Sequence, residues 1–254
     1  VIGVDVGQRY LAVIATLSRE SQFFSGTAVR DKADHYARLR KRLQRKGTRS
    51  ATRRLLVLSG RERRFKLNTN HVIAKTIVCT HPNTLIGLED LIGIRERTKR
   101  PKRRRKGKQV LPLTAKQHRA NRHASTWAFA ELHAFITYKA ALSKSSFVVK
   151  VDADYTSKAC PMCGSIDKRN RPGNGLLFVC QNTACSYKVR TGHAYTLHSD
   201  VVGARNIAMR TRLIRQDWVR MGQLSVAPDA SDHEAKAARL RRYAELRWSP
   251  ETSL

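Results

Sequence analysis

Val1-Ile2-Gly3-Val4-Asp5-Val6-Gly7 opens the chain as a short β-branched run whose one charged side chain, Asp5, stands beside the turn Gly7-Gln8-Arg9. This composition is that of a strand ending at a carboxylate. Tyr10 to Thr16 reads as a second strand and Phe23-Phe24 as part of a third, so the chain begins with a three-stranded meander. Thr84-Leu85-Ile86-Gly87-Leu88-Glu89 repeats the opening pattern as an apolar run too short for a helix, with an acid at its tip. Phe147-Val148-Val149-Lys150-Val151-Asp152 is the last strand.

Helices fill the intervals. Asp31 to Leu58 is basic and helical with Leu39, Leu43, Leu55 and Leu58 as sparse anchors, and a second helix runs from Glu62 to Cys79 until Pro82-Asn83 stops it. A third is expected from Lys116 to Leu142, with Trp127, Leu132, Phe135 and Ile136 on its apolar side. A fourth opens near Asp200 and carries Val201, Ala204, Ile207 and Ala208. Strand, strand, strand, helix, strand, helix, strand, helix is the order of an α/β, ribonuclease H-like domain. In the tail from Gln216 to Leu254, Glu234 to Trp248 reads as one amphipathic helix, packed or frayed.

Before the closing helix lie Cys160-Pro161-Met162-Cys163-Gly164 and then Cys180 and Cys185. Two short loops that each offer two thiolates suit a single tetrahedral ion, so 158–190 is expected to be an inserted zinc ribbon. Four thiolates leave no open position, which makes the Zn²⁺ structural and its binding a source of folding free energy. His193 and His198 are close enough in sequence to stand in for a cysteine. Cys79 is left over and reads as a small apolar helix residue.

Across 254 residues, 50 Lys and Arg against 19 Asp and Glu give a net charge of +31 and a pI near 11.0, a balance that attracts polyanions. Nine of these cations fall between Arg38 and Arg54, with Arg42, Arg45, Lys46, Arg53 and Arg54 as candidate nucleic-acid contacts. Ten more fall between Arg95 and Lys108 beside the single acid Glu96; with almost nothing to bury, this stretch is expected to be a mobile basic loop presenting Arg103, Arg104 and Arg105. Lys168, Arg169, Arg171, Lys188 and Arg190 add charge to the cysteine segment. Neutralised phosphates release counterions and give salt-sensitive, sequence-independent affinity, while 7% aromatic residues leave base stacking secondary. The chain has no run of eighteen apolar residues and no signal-peptide core, so a cytoplasmic, nucleoid-associated protein without a membrane partner is expected. Cysteines in metal-binding spacing fit a reducing compartment.

Asp5, Glu89 and Asp200 each have an ordinary reading as a turn or cap residue. Together they fall at the first strand, the end of the fourth and the start of the closing helix. In a fold whose first and fourth strands are neighbours these positions converge, and mutually repelling carboxylates call for hard cations such as Mg²⁺ or Mn²⁺. Such a set supports two-metal phosphodiester hydrolysis, with ions roughly 4 Å apart.

Gly3-Val4-Asp5-Val6-Gly7, Leu88-Glu89-Asp90-Leu91, Tyr155-Thr156-Ser157-Lys158 leading into Cys160-Pro161-Met162-Cys163-Gly164, and His198-Ser199-Asp200-Val201-Val202-Gly203-Ala204-Arg205-Asn206-Ile207 resemble, in order, the signature of the TnpB/OrfB proteins of insertion-sequence transposons. Leu58 to Phe65 and on through Asn70-His71 resembles their linking helices, so the resemblance covers about 1 to 210. It implies a RuvC-like domain in an RNA-guided DNA endonuclease related to the type V CRISPR effectors, with DNA and a guide RNA as partners. It also implies catalytic, Mg²⁺- or Mn²⁺-binding roles for Asp5, Glu89 and Asp200, and zinc binding by Cys160, Cys163, Cys180 and Cys185. Val202-Gly203 departs from the Asn-Ala that the family often carries. The family's N-terminal wedge and recognition helices have no counterpart here, and the chain starts at Val1 inside a strand, so an upstream region is expected.

Two rival readings follow from other classes. Gly3-x-Asp5-x-Gly7 is similar to the phosphate-binding opening of actin-like ATPases, which need a longer chain and a second glycine-rich loop. A zinc-ribbon nucleic-acid-binding protein that does not cleave is the stronger rival, but such a protein has no need to keep three mutually repelling acids. The expected organisation is a nuclease body over 1–157 that includes basic helices 31–80, a ribbon over 158–190, the closing helix over 191–215 and a tail over 216–254.

Overall fold

The computed structural model describes residues 1–18, 20–91, 104–106, 109–115, 117–119, 121, 128–222 and 233–248, with the backbone alone for 104–106 and 109–111. Its centre is a five-stranded sheet in the order β3-β2-β1-β4-β7, built from β1 (Ile2–Asp5), β2 (Tyr10–Thr16), β3 (Ser21–Ser25), β4 (Leu85–Asp90) and β7 (Phe147–Asp152). The first three strands are antiparallel neighbours, as expected of a meander with short turns. β4 joins β1 in parallel and β7 joins β4 in parallel, so both later strands return by helical crossovers.

The pleat divides β1 and β4 in the same way. Ile2, Val4, Ile86 and Leu88 point into one core with Ile73, Ala74 and Ile77 of α2 (Arg49–Thr80) and Leu132, Ile136 and Ala140 of α3 (Phe129–Ser143). Leu132, Ile136 and Ala140 recur every fourth residue, one stripe of a helix, and each is fully buried, so truncating Ile136 to alanine should cost roughly 2–5 kcal/mol. Gly3, Asp5, Gly87 and Glu89 lie on the opposite face. There the glycines let the long helix α5 (Ser199–Met221) press onto the sheet: a Cβ at Gly3 would lie 2.0 Å from the Ala204 carbonyl, and one at Gly87 would lie 1.9 Å from Thr211 Oγ1. The close-packing face of the sheet is therefore also the face that carries the acids.

The basic helices differ from the sequence expectation in where they break. α1 (Thr27–Lys46) ends at Gly47, which takes φ +62°, and α2 begins at Thr48, whose side chain caps Ala51 N at 3.2 Å. A left-handed glycine followed by a capping threonine is a stop and a start in two residues, so the break comes here and not between Leu58 and Glu62. Buried Glu62 then ties the hairpin together by pairing with Arg40 of α1 and with Lys66 at 2.8 Å.

Two other expectations change. At the end of the supposed basic loop, β5 (Arg104–Lys106) and β6 (Gln109–Leu111) form an antiparallel ladder, since backbone pairing does not require side chains to be buried. Arg103 and the rest of 92–103 lie outside the described residues, as do the side chains of Arg104 and Arg105. Of the helix expected from Lys116 to Leu142, residues 115, 117–119 and 121 are helical and α3 begins at Phe129 after the non-helical Ala128, while 122–127, with Trp127, lie outside the described residues. Among the described residues no helix is long and apolar enough to cross a membrane.

Candidate active site and metal centre

The register of β1 against β4 pairs Ile2 with Ile86, Gly3 with Gly87 and Val4 with Leu88. One step further along the parallel strands brings Asp5 beside Glu89 on the α5 face. α5 starts over this same edge, with His198 as its N-cap, and Asp200 falls in its first turn. Asp5, Glu89 and Asp200 thus lie toward one edge of the sheet, near enough that the charges of Glu89 and Asp200 both act on Asp5. Burial, then those two charges, hold the Asp5 carboxyl well above the ordinary carboxylate range, while Arg171 and the Val6 N–H pull it back. Burial also raises Glu89, against a 2.6 Å hydrogen bond from the Thr156 hydroxyl and the charge of Arg210.

Glu89 is therefore a buried strand residue and not a helix cap. Asp200 is not a cap either, because its backbone N–H donates to Nδ1 of His198 at 3.3 Å. His198 is taken up by that contact and by edge-on packing against Tyr10 and Phe23, which removes it as a stand-in metal ligand; His193 is exposed and outside the thiol cluster.

Four residues at this site are not evident from the sequence pattern. Thr156 reaches Glu89 from the turn after β7. Gly203 stands one helical turn beyond Asp200 and leaves room for Asp5: a Cβ there would lie 2.5 Å from Oδ2. Arg171 is fixed by Ser157 Oγ at 2.9 Å and the Gly175 carbonyl at 2.7 Å, and brings a positive charge from the cysteine segment to Asp5. Arg210, fully buried, acts on Glu89. Thr156 and Gly203 left a trace only as positions within quoted motifs, before the first cysteine pair and after Asp200; Arg171 was among the cations singled out in the cysteine segment, and Arg210 left no trace.

The sulfurs of Cys160, Cys163, Cys180 and Cys185 lie within 4.8 Å of one another, and among the described residues no other group of three or more metal-ligating side chains is so close. Cys163 and Cys180 are 3.7 Å apart, and a tetrahedral ion with about 2.3 Å bonds to sulfur sets its ligands ~3.8 Å apart. The first loop closes by a 2.7 Å hydrogen bond from Gly164 N to the Cys160 carbonyl, with Gly164 at φ +70°. The second is held by Cys180 N on Tyr195 O at 2.9 Å and Cys185 N on Asn182 O at 3.2 Å. Without a cation these thiols cannot ionise together: hydrogen bonding from Cys160 lowers Cys163 to about 4, while Cys160 is driven up and burial takes Cys180 to about 12. This is a metal-binding arrangement by donor chemistry and spacing. The segment's β8 (Leu177–Val179) pairs with β9 (Thr196–His198), so the loops that carry the sulfurs run directly into α5.

Of the candidate nucleic-acid contacts, Arg42, Lys46, Arg53 and Arg54 line a groove of about 610 Å³ between α1 and α2. Arg45 is exposed on α1 but does not line it. Leu39, Leu43, Val57 and Leu58 form the groove's apolar floor.

Residues 129–207 match the family model of the Cas12f1-like TNB domain. The CRISPR-associated endodeoxyribonuclease Cas12f1 of Sulfoacidibacillus thermotolerans is 35% identical over 101 residues, 40% of this chain and 21% of that protein. Cas12f1 of Syntrophomonas palmitatica is 28% identical over 160 residues, 62% of this chain and 27% of that protein. The chain thus spans about a quarter of these relatives' lengths or less. A solved complex of Cas12f1 with sgRNA and target DNA shares the fold, with a TM-score of 0.57 at 17% identity over 82% of this chain and 49% of that one. A mixed α/β fold of this likeness, the matched TNB segment and the two relatives together make the chain a relative of the TnpB-like proteins and the type V effectors.

Proposed function

We propose that the chain carries the nuclease centre of an RNA-guided DNA endonuclease of the TnpB/Cas12 type, on a RuvC-like domain. The observation that carries this reading is the convergence of Asp5, Glu89 and Asp200 at one edge of the sheet, from strands in register and the helix laid across them. The strand order, with three antiparallel strands followed by two parallel ones, supports the RuvC-like assignment. We assign the nuclease body to 1–157, the cysteine segment to 158–198, because β9 still pairs with β8, and the closing helix to α5 (Ser199–Met221), in place of the expected 158–190 and 191–215.

Asp5, Glu89 and Asp200 would hold Mg²⁺ or Mn²⁺, which when bound supplies an activated water and stabilises the leaving oxygen. Burial raises Asp5 and Glu89, and the charges of Glu89 and Asp200 raise Asp5 further, a strain that an entering cation would relieve. Thr156 orients the Glu89 carboxylate and leaves its other oxygen for the ion. Arg171, fixed on the cysteine segment, brings a positive charge to Asp5 and would attract a phosphodiester there. Cys160, Cys163, Cys180 and Cys185 would hold a structural Zn²⁺ that orders this segment.

Arg42, Arg45, Lys46, Arg53 and Arg54 would bind nucleic-acid phosphates along the α1–α2 hairpin, and Arg103, Arg104 and Arg105 are proposed for the same role. RNA and DNA are the partners this charge fits. The test is cleavage of labelled single-stranded DNA with Mg²⁺ or Mn²⁺, beside an Asp200→Ala variant that retains its zinc. Cutting that disappears in the variant supports the reading; tight binding with no cutting leaves the non-cleaving zinc-ribbon protein as the answer.

A further inference from the structure

Among the described residues Arg210 is the largest fully buried side chain, at 2% exposure. A guanidinium is kept from water at this depth only where its donors and its charge are met. Nη1 donates to the Asp152 carbonyl and Nη2 to the Asp154 carbonyl at 2.8 Å, so two successive steps of the turn after β7 hang on one planar group. Thr156, two residues on, is the residue whose hydroxyl meets Glu89 at 2.6 Å. Asn206, one turn earlier on α5, holds the far end of the same turn through Nδ2 on the Thr156 carbonyl at 2.6 Å and the Ala159 carbonyl at 2.8 Å.

The remaining contacts come from the C-terminal helix α6 (His233–Glu245), which lies outside every motif that pointed to function. Its Tyr243 ring covers the Arg210 guanidinium at 4.1 Å, and its Lys236 pairs with the Asp154 carboxylate. Arg242 fastens the helix to Asp217 of α5 at 2.8 Å. Just beyond it, Trp248 stacks on Arg205 at 4.3 Å and donates from Nε1 to the Leu17 carbonyl at 3.1 Å. Its backbone N–H reaches the Pro161 carbonyl at 2.8 Å, in the first cysteine loop. The helix thus meets the turn directly through Lys236 and indirectly through Tyr243 on Arg210.

We infer that Arg210 is a positioning residue for the carboxylate site and that α6, through Tyr243 and Lys236, is the strap that keeps it and the Asp152–Thr156 turn in place. The inference rests on the proposed cation-binding role of Asp5, Glu89 and Asp200. Loss of the guanidinium frees the turn, Thr156 leaves Glu89, and the carboxylate loses the orientation in which it would share an ion with Asp5.

The test uses the full chain and two readouts: Mn²⁺ affinity by electron paramagnetic resonance, and hydrogen exchange of the backbone amides of 153–157. Arg210→Met should weaken Mn²⁺ binding about tenfold or more and speed exchange in 153–157, with zinc content and β1 protection unchanged. Arg210→Lys, which keeps the charge but cannot hold both carbonyls, should fall between. Tyr243→Leu and Lys236→Gln should move both readouts in the same direction by less, and they decide the matter if Arg210→Met does not fold. Unchanged affinity and unchanged exchange in these variants would overturn the inference. Should Mn²⁺ binding prove indifferent to Asp5→Asn, the carboxylate reading fails by itself; exchange in 153–157 then still decides the strap, faster exchange supporting it and unaltered exchange refuting it.

Discussion

Gly203 and Asp5 are fitted to each other: the helix carries no side chain at 203, and the strand's carboxylate fills the space that a Cβ would take, 2.5 Å from Oδ2. The departure from the alanine often found in TnpB-like proteins thus has a structural counterpart in this chain. Gly203→Ala should add about 1 kcal/mol of helix propensity while forcing the short Asp5 side chain to turn. We expect a melting temperature no lower than the parent's and Mn²⁺ affinity reduced about tenfold, read by calorimetry. A destabilised protein with unaltered Mn²⁺ binding would make Gly203 a packing residue alone.

The raised Asp5 and Glu89 carboxyls have a pH consequence. An acid whose pKa is higher in the folded than in the unfolded state binds more protons when folded, so stability falls as pH climbs from the ordinary values of 3.8 and 4.5 through the raised ones. In buffer without added divalent cations these two groups should cost stability from about pH 4 upward, against the opposite contribution of Glu62, whose carboxyl, despite burial, Lys66 and Arg40 hold low. Asp5→Asn should remove part of that loss and be the more stable protein at neutral pH, and Mn²⁺ should stabilise the parent but not the variant. Thermal unfolding of parent and variant across this range checks the sign; a stability difference in favour of Asp5→Asn that fails to grow with pH contradicts it.

Cys160→Ser removes one of four sulfurs held within 4.8 Å. Zinc content should drop from one ion per chain towards none, and β8–β9 and the cysteine loops should lose protection first, since metal binding there stands in for a core. Elemental analysis and hydrogen exchange together read this out. Native protein free of zinc would end the assignment.

Arg53→Gln with Arg54→Gln takes two cations from the groove between α1 and α2. Nucleic-acid affinity should fall at every sequence tested, and the slope of log affinity against log salt should flatten by about two for duplex DNA. These residues are far from the carboxylates, since Arg53 to Ile73 along α2 alone rises ~30 Å at about 1.5 Å per residue. Mn²⁺ binding should therefore be unaffected. An unchanged salt slope would remove the groove from the binding surface.

Where local composition carries the decision, the sequence was sufficient. β-Branched and apolar runs too short to be helices marked all five strands of the main sheet, because strand formation there depends on side chains that each strand carries itself. The four cysteines were legible for the same reason: two thiols per short loop are brought together by the loop. The helix break at Gly47-Thr48 was equally local and was missed because the leucine spacing was followed across a glycine that takes a left-handed conformation.

Only the tertiary structure decided which acids meet and what holds them. Asp5 and Glu89 become neighbours through parallel pairing of β1 with β4, and long-range register is a property of two strands together. Thr156, Arg171, Gly203 and Arg210 acquire their roles from distances across elements that no single segment encodes. The C-terminal helix shows the difference most plainly. Its amphipathic pattern predicted that it would form, while its place over Arg210 depends on an arginine buried on another helix, whose charge had to be covered by whatever part of the chain could reach it.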